Sequence, residues 1–233
     1  MFTINKYGHG WRSKAYIWNI ISGQNLLLTS NAGTGKTFII KSAVKYLREK
    51  GKRVALTCST GLATTLHKWA GLGDGQYSNG ELLHLISNDE RYEKVKKSIK
   101  ECDFLFIDEI SMISTKILGQ VEFLCKSLKN QNCFFGGITV VLSRDIFQLP
   151  RVENKLYGDF GHHCFLLPWF EEAFRHHINL NIIHRQDEPL LVNAVNELER
   201  GLPSETTIHC IFEQAFTRWH WMRQYIFLQE MQM

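Results

Sequence analysis

A chain of 233 residues can bury one full core or two small ones, and 44% hydrophobic with 21% charged residues excludes a disordered or fibrous protein. Its net charge of +4 permits nucleic-acid binding without requiring it. No apolar run approaches the roughly 20 residues needed to cross a bilayer, and the start lacks the apolar core of a secretory signal, so an intracellular protein with no membrane partner is expected.

The opening stretch is basic: no Asp or Glu precedes Glu49, whereas Lys6, Arg12, Lys14, Lys36, Lys41, Lys45 and Arg48 all do. It fits either a lead-in of about residues 1–22 or a mitochondrial transit peptide whose cleavage stops short of the first strand. Asn25 to Thr29 (NLLLT) reads as a buried strand, and Lys36 to Lys50 as a helix with Phe38, Ile39, Ala43, Val44 and Leu47 on one side, stopped by Gly51. Arg53 to Cys58, Phe104 to Ile107 and Ile138 to Leu142 read as further strands. Between the last two, Ser114 caps a predicted helix running to about Lys129, with Ile117, Leu118, Val121, Leu124 and Leu128 inward. Asp187 to Arg200 reads as another helix, closed by Gly201 and Pro203. Strands alternating with amphipathic helices predict an α/β fold, a parallel sheet with helices on both faces.

Two segments carry chemistry. Ala32-Gly33-Thr34-Gly35-Lys36-Thr37 follows a strand and opens a helix, the context a phosphate loop requires. Glycines there let backbone N–H groups converge on phosphates, the helix start adds partial positive charge, Lys36 reaches the outer phosphates and the Thr37 hydroxyl ligates magnesium. The alternative is a Gly-rich turn before an ordinary helix. Some seventy residues on, Phe104-Leu105-Phe106-Ile107-Asp108-Glu109 delivers two carboxylates at a buried strand's C-terminal end, where such sheets bind ligands. Asp108 then holds magnesium and Glu109 orients and deprotonates the attacking water. Together these predict a P-loop nucleoside triphosphatase that takes ATP and Mg²⁺. A P-loop kinase is the competing class, but it needs a phosphoacceptor pocket and lid arginines.

The six cysteines form no CxxC pair, so buried free thiols in a reducing compartment are expected. His162, His163, Cys164, His176, His177 and His184 lack the paired spacing of zinc ligands and read first as ordinary loop and core residues.

Further motifs narrow the reading. Asp108-Glu109-Ile110-Ser111-Met112, Ser59-Thr60-Gly61, Thr65-Leu66-His67-Lys68-Trp69, Phe147-Gln148-Leu149-Pro150 and His184-Arg185-Gln186 closely resemble, in the right order, the petite integration frequency (Pif) helicases. The resemblance runs from about Gly23 to about Ser204 and implies a RecA-like ATPase core over 23–204 that moves 5′ to 3′ along single-stranded DNA. It also implies roles in DNA repair, recombination and telomere maintenance, in the nucleus or the mitochondrion. Carried over, Gln148 senses the γ-phosphate and Arg185 is an arginine finger; out of that context Arg185 reads as a surface salt-bridge residue. The family's DNA path lies along Ser59 to Trp69, where Thr60, Thr65 and Lys68 suit phosphates and His67 or Trp69 offers a stacking face, unless Trp69 and Leu66 simply pack a short helix.

The chain departs from that pattern in places. Ser30 stands where the phosphate loop has Gly, and Ser13 and Lys14 where the family has an adenine-reading Gln. Between Gly61 and Thr65 the chain is a few residues short. Arg144 replaces a Gly and Arg151 a Pro around Gln148, and a bulky cation at a tight turn is expected to displace Gln148. Residues 205–233 read as a divergent tail with Trp219, Trp221, Tyr225 and Phe227, without the second RecA-like domain. The alternative function is therefore a nucleotide- and nucleic-acid-binding remnant of a helicase or mobile element without unwinding activity.

Overall fold

The computed structural model describes residue 18 and residues 20–30, 34–58, 64–145, 153–180, 193–194, 197–198, 201–209 and 211–212. Its chain divides into two compact units, Met1–Ile182 and Ile183–Met233. In the first, six strands form one sheet: β1 (Leu26–Ser30), β2 (Val54–Cys58), β3 (Thr64–Thr65), β4 (Phe104–Asp108), β5 (Thr139–Asp145) and β6 (His176–Leu180). Their order is β3-β2-β4-β5-β1-β6, and every pairing is parallel.

A parallel sheet is covered on both faces, so its central strands are apolar throughout rather than alternating. β4 shows this. Leu105 and Ile107 point into one core and Phe104 and Phe106 into the other, all 6% exposed or less. The second core is closed by α1 (Lys36–Glu49), whose Ile39, Ile40, Ala43, Val44 and Leu47 form a continuous stripe. Phe38, expected on that stripe, falls one step off it and is 58% exposed. The first core is closed by α2 (Leu66–Ala70), α3 (Asn79–Asn88), α4 (Glu93–Glu101), α5 (Thr115–Leu128) and α6 (Phe170–Ala173).

Local chemistry sets several of these boundaries. Ser114 caps α5 by accepting the Ile117 N–H at 3.2 Å, as expected. α3 starts on a reciprocal box: the Ser78 hydroxyl accepts the Glu81 N–H, and the Glu81 carboxylate takes the Ser78 N–H at 2.9 Å. Behind α5, the backbone passes through Phe135 (φ 49°) and Gly136 (φ 63°) in left-handed conformations. A Cβ on Gly136 would lie 2.2 Å from the Cys125 carbonyl oxygen, so only glycine lets this turn close on α5.

β5 runs three residues past the expected Leu142, because pairing with β1 continues through Ser143, Arg144 and Asp145 although the apolar run has ended. The predicted helix over Asp187 to Arg200 lies outside the described residues except at 193–194 and 197–198, which are helical. In the second unit, the Ser204 hydroxyl, the Thr207 hydroxyl at 2.6 Å and the Ser204 N–H at 2.7 Å all engage the Glu197 carboxylate and hold it down at about 2.

Cys58, Cys102, Cys125 and Cys164 are buried free thiols and Cys133 an exposed one. Burial pushes Cys102 up to about 11 and Cys125 further in the same direction. Among the described residues no group of three His, Cys, Asp or Glu is placed to hold a metal ion, and no helix is long and apolar enough to cross a membrane.

Candidate functional site

Sheet order brings the two chemical segments together. β5 pairs with β1 on one side and β4 on the other, with Leu142 opposite both Leu27 and Ile107. Since all three strands are parallel, their C-terminal ends open onto one edge. The ends of β1 (Ser30), β4 (Asp108) and β5 (Asp145) therefore lie at one edge of the sheet.

On the β1 side, Gly35 adopts a left-handed conformation (φ 89°, ψ 16°) as the residue before α1, and its carbonyl accepts the Ile39 N–H at 3.1 Å. Thr34 is buried, Gly35 and Lys36 are half-buried and Thr37 is exposed. α1 carries no acidic residue in its first turn, so the positive end of its dipole is left for an external anion. Ser30 is the last residue of β1, paired with Asp145 and Leu180. Strand backbone is open to any residue, so the missing glycine costs nothing there. Ala32 and Gly33 lie outside the described residues.

On the β4 side, Asp108 ends the strand half-buried, and its Oδ1 accepts the Glu109 N–H at 3.0 Å. Glu109 itself is left-handed (φ 57°, ψ 45°), a conformation costing a non-glycine residue about 1 kcal/mol. It turns the chain into a short 3₁₀ segment, Ile110–Met112, whose Ile110 is 2% exposed in the core and anchors the turn. Two carboxylates and the Thr37 hydroxyl are hard oxygen donors, the set magnesium prefers, with room left for water and phosphate oxygens. Thr37 and Asp108 are the residues that could hold it.

Beyond β4, Asp108 pairs with Cys58 at the end of β2, which leads toward the predicted DNA segment. Thr65 ends β3 and caps α2, its hydroxyl accepting the Lys68 N–H at 3.3 Å. Lys68 is exposed. His67 is half-buried and its imidazole is held below 6.5 by that burial, against the pull of Asp74 and Asp159. Trp69 is 9% exposed and lies in the core beside Leu66 and Ala70, so it packs the short helix and presents no open stacking face. Thr60 lies outside the described residues, as do Gln148 and Arg185.

Arg144 departs from its expected setting. It stands within β5, opposite Thr29, rather than at a turn. Being two residues beyond Leu142, it shares that residue's face, and its guanidinium packs over the Phe165 ring at 5.0 Å. His163 stacks on the same ring, centroids 4.6 Å apart and planes 15° apart. Nothing in the sequence around Arg144 points to a partner twenty residues on. The stacking pair is readable only once β5 and α5 are in place.

Over residues 18–157, more than half of its length, the chain matches the PIF1-like helicase family. It is 36% identical over 203 residues to the ATP-dependent DNA helicase PIF1 of Candida albicans, covering 80% of this chain and 22% of that protein. The crystal structure of Pif1 helicase from Candida albicans superimposes with a TM-score of 0.77 at 32% identity, over 87% of this chain and 46% of the other. That of Bacteroides Pif1 bound to ssDNA gives 0.72 at 26%, over 89% and 50%. The chain thus spans about a quarter of the length of the curated relatives it matches. These matches show that the chain belongs to the PIF1-like helicase family.

Proposed function

We propose that this chain carries the ATP-hydrolysing half of a 5′-to-3′ DNA helicase motor that contacts single-stranded DNA. One observation carries the reading: β1, β5 and β4 lie adjacent and parallel, so Lys36 and Thr37 share a sheet edge with Asp108 and Glu109. The start of α1 and Lys36 bind and orient the polyphosphate. Thr37 and Asp108 hold Mg²⁺, which when bound neutralises charge developing between the outer phosphates. Glu109 takes the proton of the attacking water, Gln148 senses the γ-phosphate and Arg185 serves as the arginine finger. Thr60, Thr65, His67 and Lys68 contact the strand, a reading that the ssDNA bound to the similar Bacteroides Pif1 supports. Repair, recombination and telomere maintenance, in nucleus or mitochondrion, follow from family membership as the proposed setting.

The test is phosphate release from ATP with and without oligothymidylate. Stimulation by DNA is expected, with a loss of about 10²- to 10³-fold in Lys36→Ala, the scale for removing a charge-stabilising donor. An undiminished rate in that variant overturns the reading. Tight nucleotide binding without phosphate release, DNA present, selects the binding-only alternative.

A further inference from the structure

A groove of roughly 660 Å³, distinct from the nucleotide edge, runs between the start of α3 and the first turns of α5. Aromatic rings form much of its wall: Tyr77, Phe123, Tyr157 and Trp169. Its charged residues already have partners. Glu81 is engaged by Ser78 in the α3 cap, Lys116 donates to the Tyr157 carbonyl, and Lys126 Nζ lies 2.9 Å from Glu122 Oε1, off the line of a good hydrogen bond. A phosphate therefore finds no uncommitted cation in the groove, and a cation finds no uncommitted carboxylate.

What the groove offers instead is a neutral acceptor. Gln120 lines it and is only 3% exposed. Its Nε2 donates to the Tyr77 carbonyl at 2.7 Å, which fixes the amide's orientation and leaves Oε1 as the atom without a partner. A buried acceptor left unpaired is destabilising, so a ligand that brings a donor gains more than an ordinary hydrogen bond. Oε1 is closed to bulk water, so a ligand reaches it by displacing the side chains that cover it. The complement of aromatic walls, ion-paired charges and a buried neutral acceptor is a neutral planar group with an N–H on its edge.

We infer that the groove is a nucleobase subsite, in which a base turned out of a single strand lies among Tyr77, Tyr157 and Trp169 and donates its edge N–H to Gln120 Oε1. The inference rests on the DNA-binding reading above. One loop, residues 71–78, joins α2, which carries His67 and Lys68, to the α3 end of the groove. Stacking on aromatic rings is the sequence-tolerant part of such binding, and the hydrogen bond to Gln120 is the selective part.

The experiment compares binding, by fluorescence anisotropy, of oligothymidylate and of the same oligomer built from N3-methylthymidine. The two have equal charge and ring area, but the methylated base has lost its edge donor. Wild type is expected to bind the methylated strand about fivefold more weakly, the scale of one hydrogen bond. Gln120→Leu deletes the acceptor, so it removes the discrimination and weakens binding of unmodified oligothymidylate by about the same fivefold. Tyr157→Ala, a partly exposed position on the rim, lowers discrimination independently should the buried substitution impair folding. Equal wild-type affinities, or discrimination that survives both substitutions, overturn the subsite and leave the DNA-binding reading standing. Failure to bind either strand overturns both.

Discussion

The proposed nucleotide edge and the proposed DNA segment lie on the same sheet yet are built differently. Asp108 and Glu109 sit at the end of a strand buried on both faces, with Ile110 as an anchor behind them. Thr65, His67 and Lys68 stand on a two-residue strand and a five-residue helix held by one capping bond and the packing of Leu66, Trp69 and Ala70 into the core. A group that must take a proton from water needs fixed placement, which a buried strand supplies. A surface that follows a moving strand works with modest contacts on short elements, which release as readily as they form.

The contrast can be broken at either end. Glu109→Gln is expected to have the largest effect, cutting DNA-stimulated hydrolysis by about 10²- to 10⁴-fold while nucleotide stays bound, because only the proton acceptor is removed. Loss of nucleotide binding along with rate, measured by equilibrium titration, would show that the carboxylate is structural. Next comes Gly136→Ala, which forces a methyl group against the Cys125 carbonyl and should cost about 3 kcal/mol in a denaturant titration. A neutral result would mean that α5 is not fixed by that turn, and the rigid half of the comparison would weaken.

Lys68→Ala sharpens the other half. Affinity for oligothymidylate should fall severalfold and the slope of log affinity against log salt should drop by about one, as happens when a single cation no longer meets the phosphate backbone. The smallest effect concerns His67. Its folded-state value lies below 6.5, so the native state binds fewer protons than the unfolded chain. The stabilisation is complete above about pH 6.5 and is lost as pH falls from there through the lower folded value. His67→Gln should flatten the stability–pH curve in that window, and an unchanged curve would place His67 in solvent.

Where a stretch of sequence is apolar enough to be buried on both faces, its role was legible. NLLLT and FLFID announced their strands. Legibility failed where placement depends on distant partners. α4 (EKVKKSIKE) buries only Ile99, so its pattern reads as a solvated charge run. β6 (HHINL) is an edge strand with two buried residues, recognisable only once β1 is beside it. The α3 cap, which was not among the expected elements, lies wholly within Ser78-Asn79-Gly80-Glu81 and depends on no distant partner. Trp69 and Arg144 drew attention as chemistry, yet one fills the core and the other lies across Phe165. Burial and stacking depend on elements far along the chain, and residue type alone does not reveal them.

The backbone at Glu109 bears on how such a chain can vary. Asparagine or glycine would adopt that geometry with less strain, so a protein selected for folding alone would be expected to drift toward them. On the proposed role of Glu109 as the base, keeping glutamate there trades thermal robustness for turnover. Variants recovered from a screen for heat resistance should accumulate at this position and, if Glu109 is the base proposed above, have lost ATP hydrolysis.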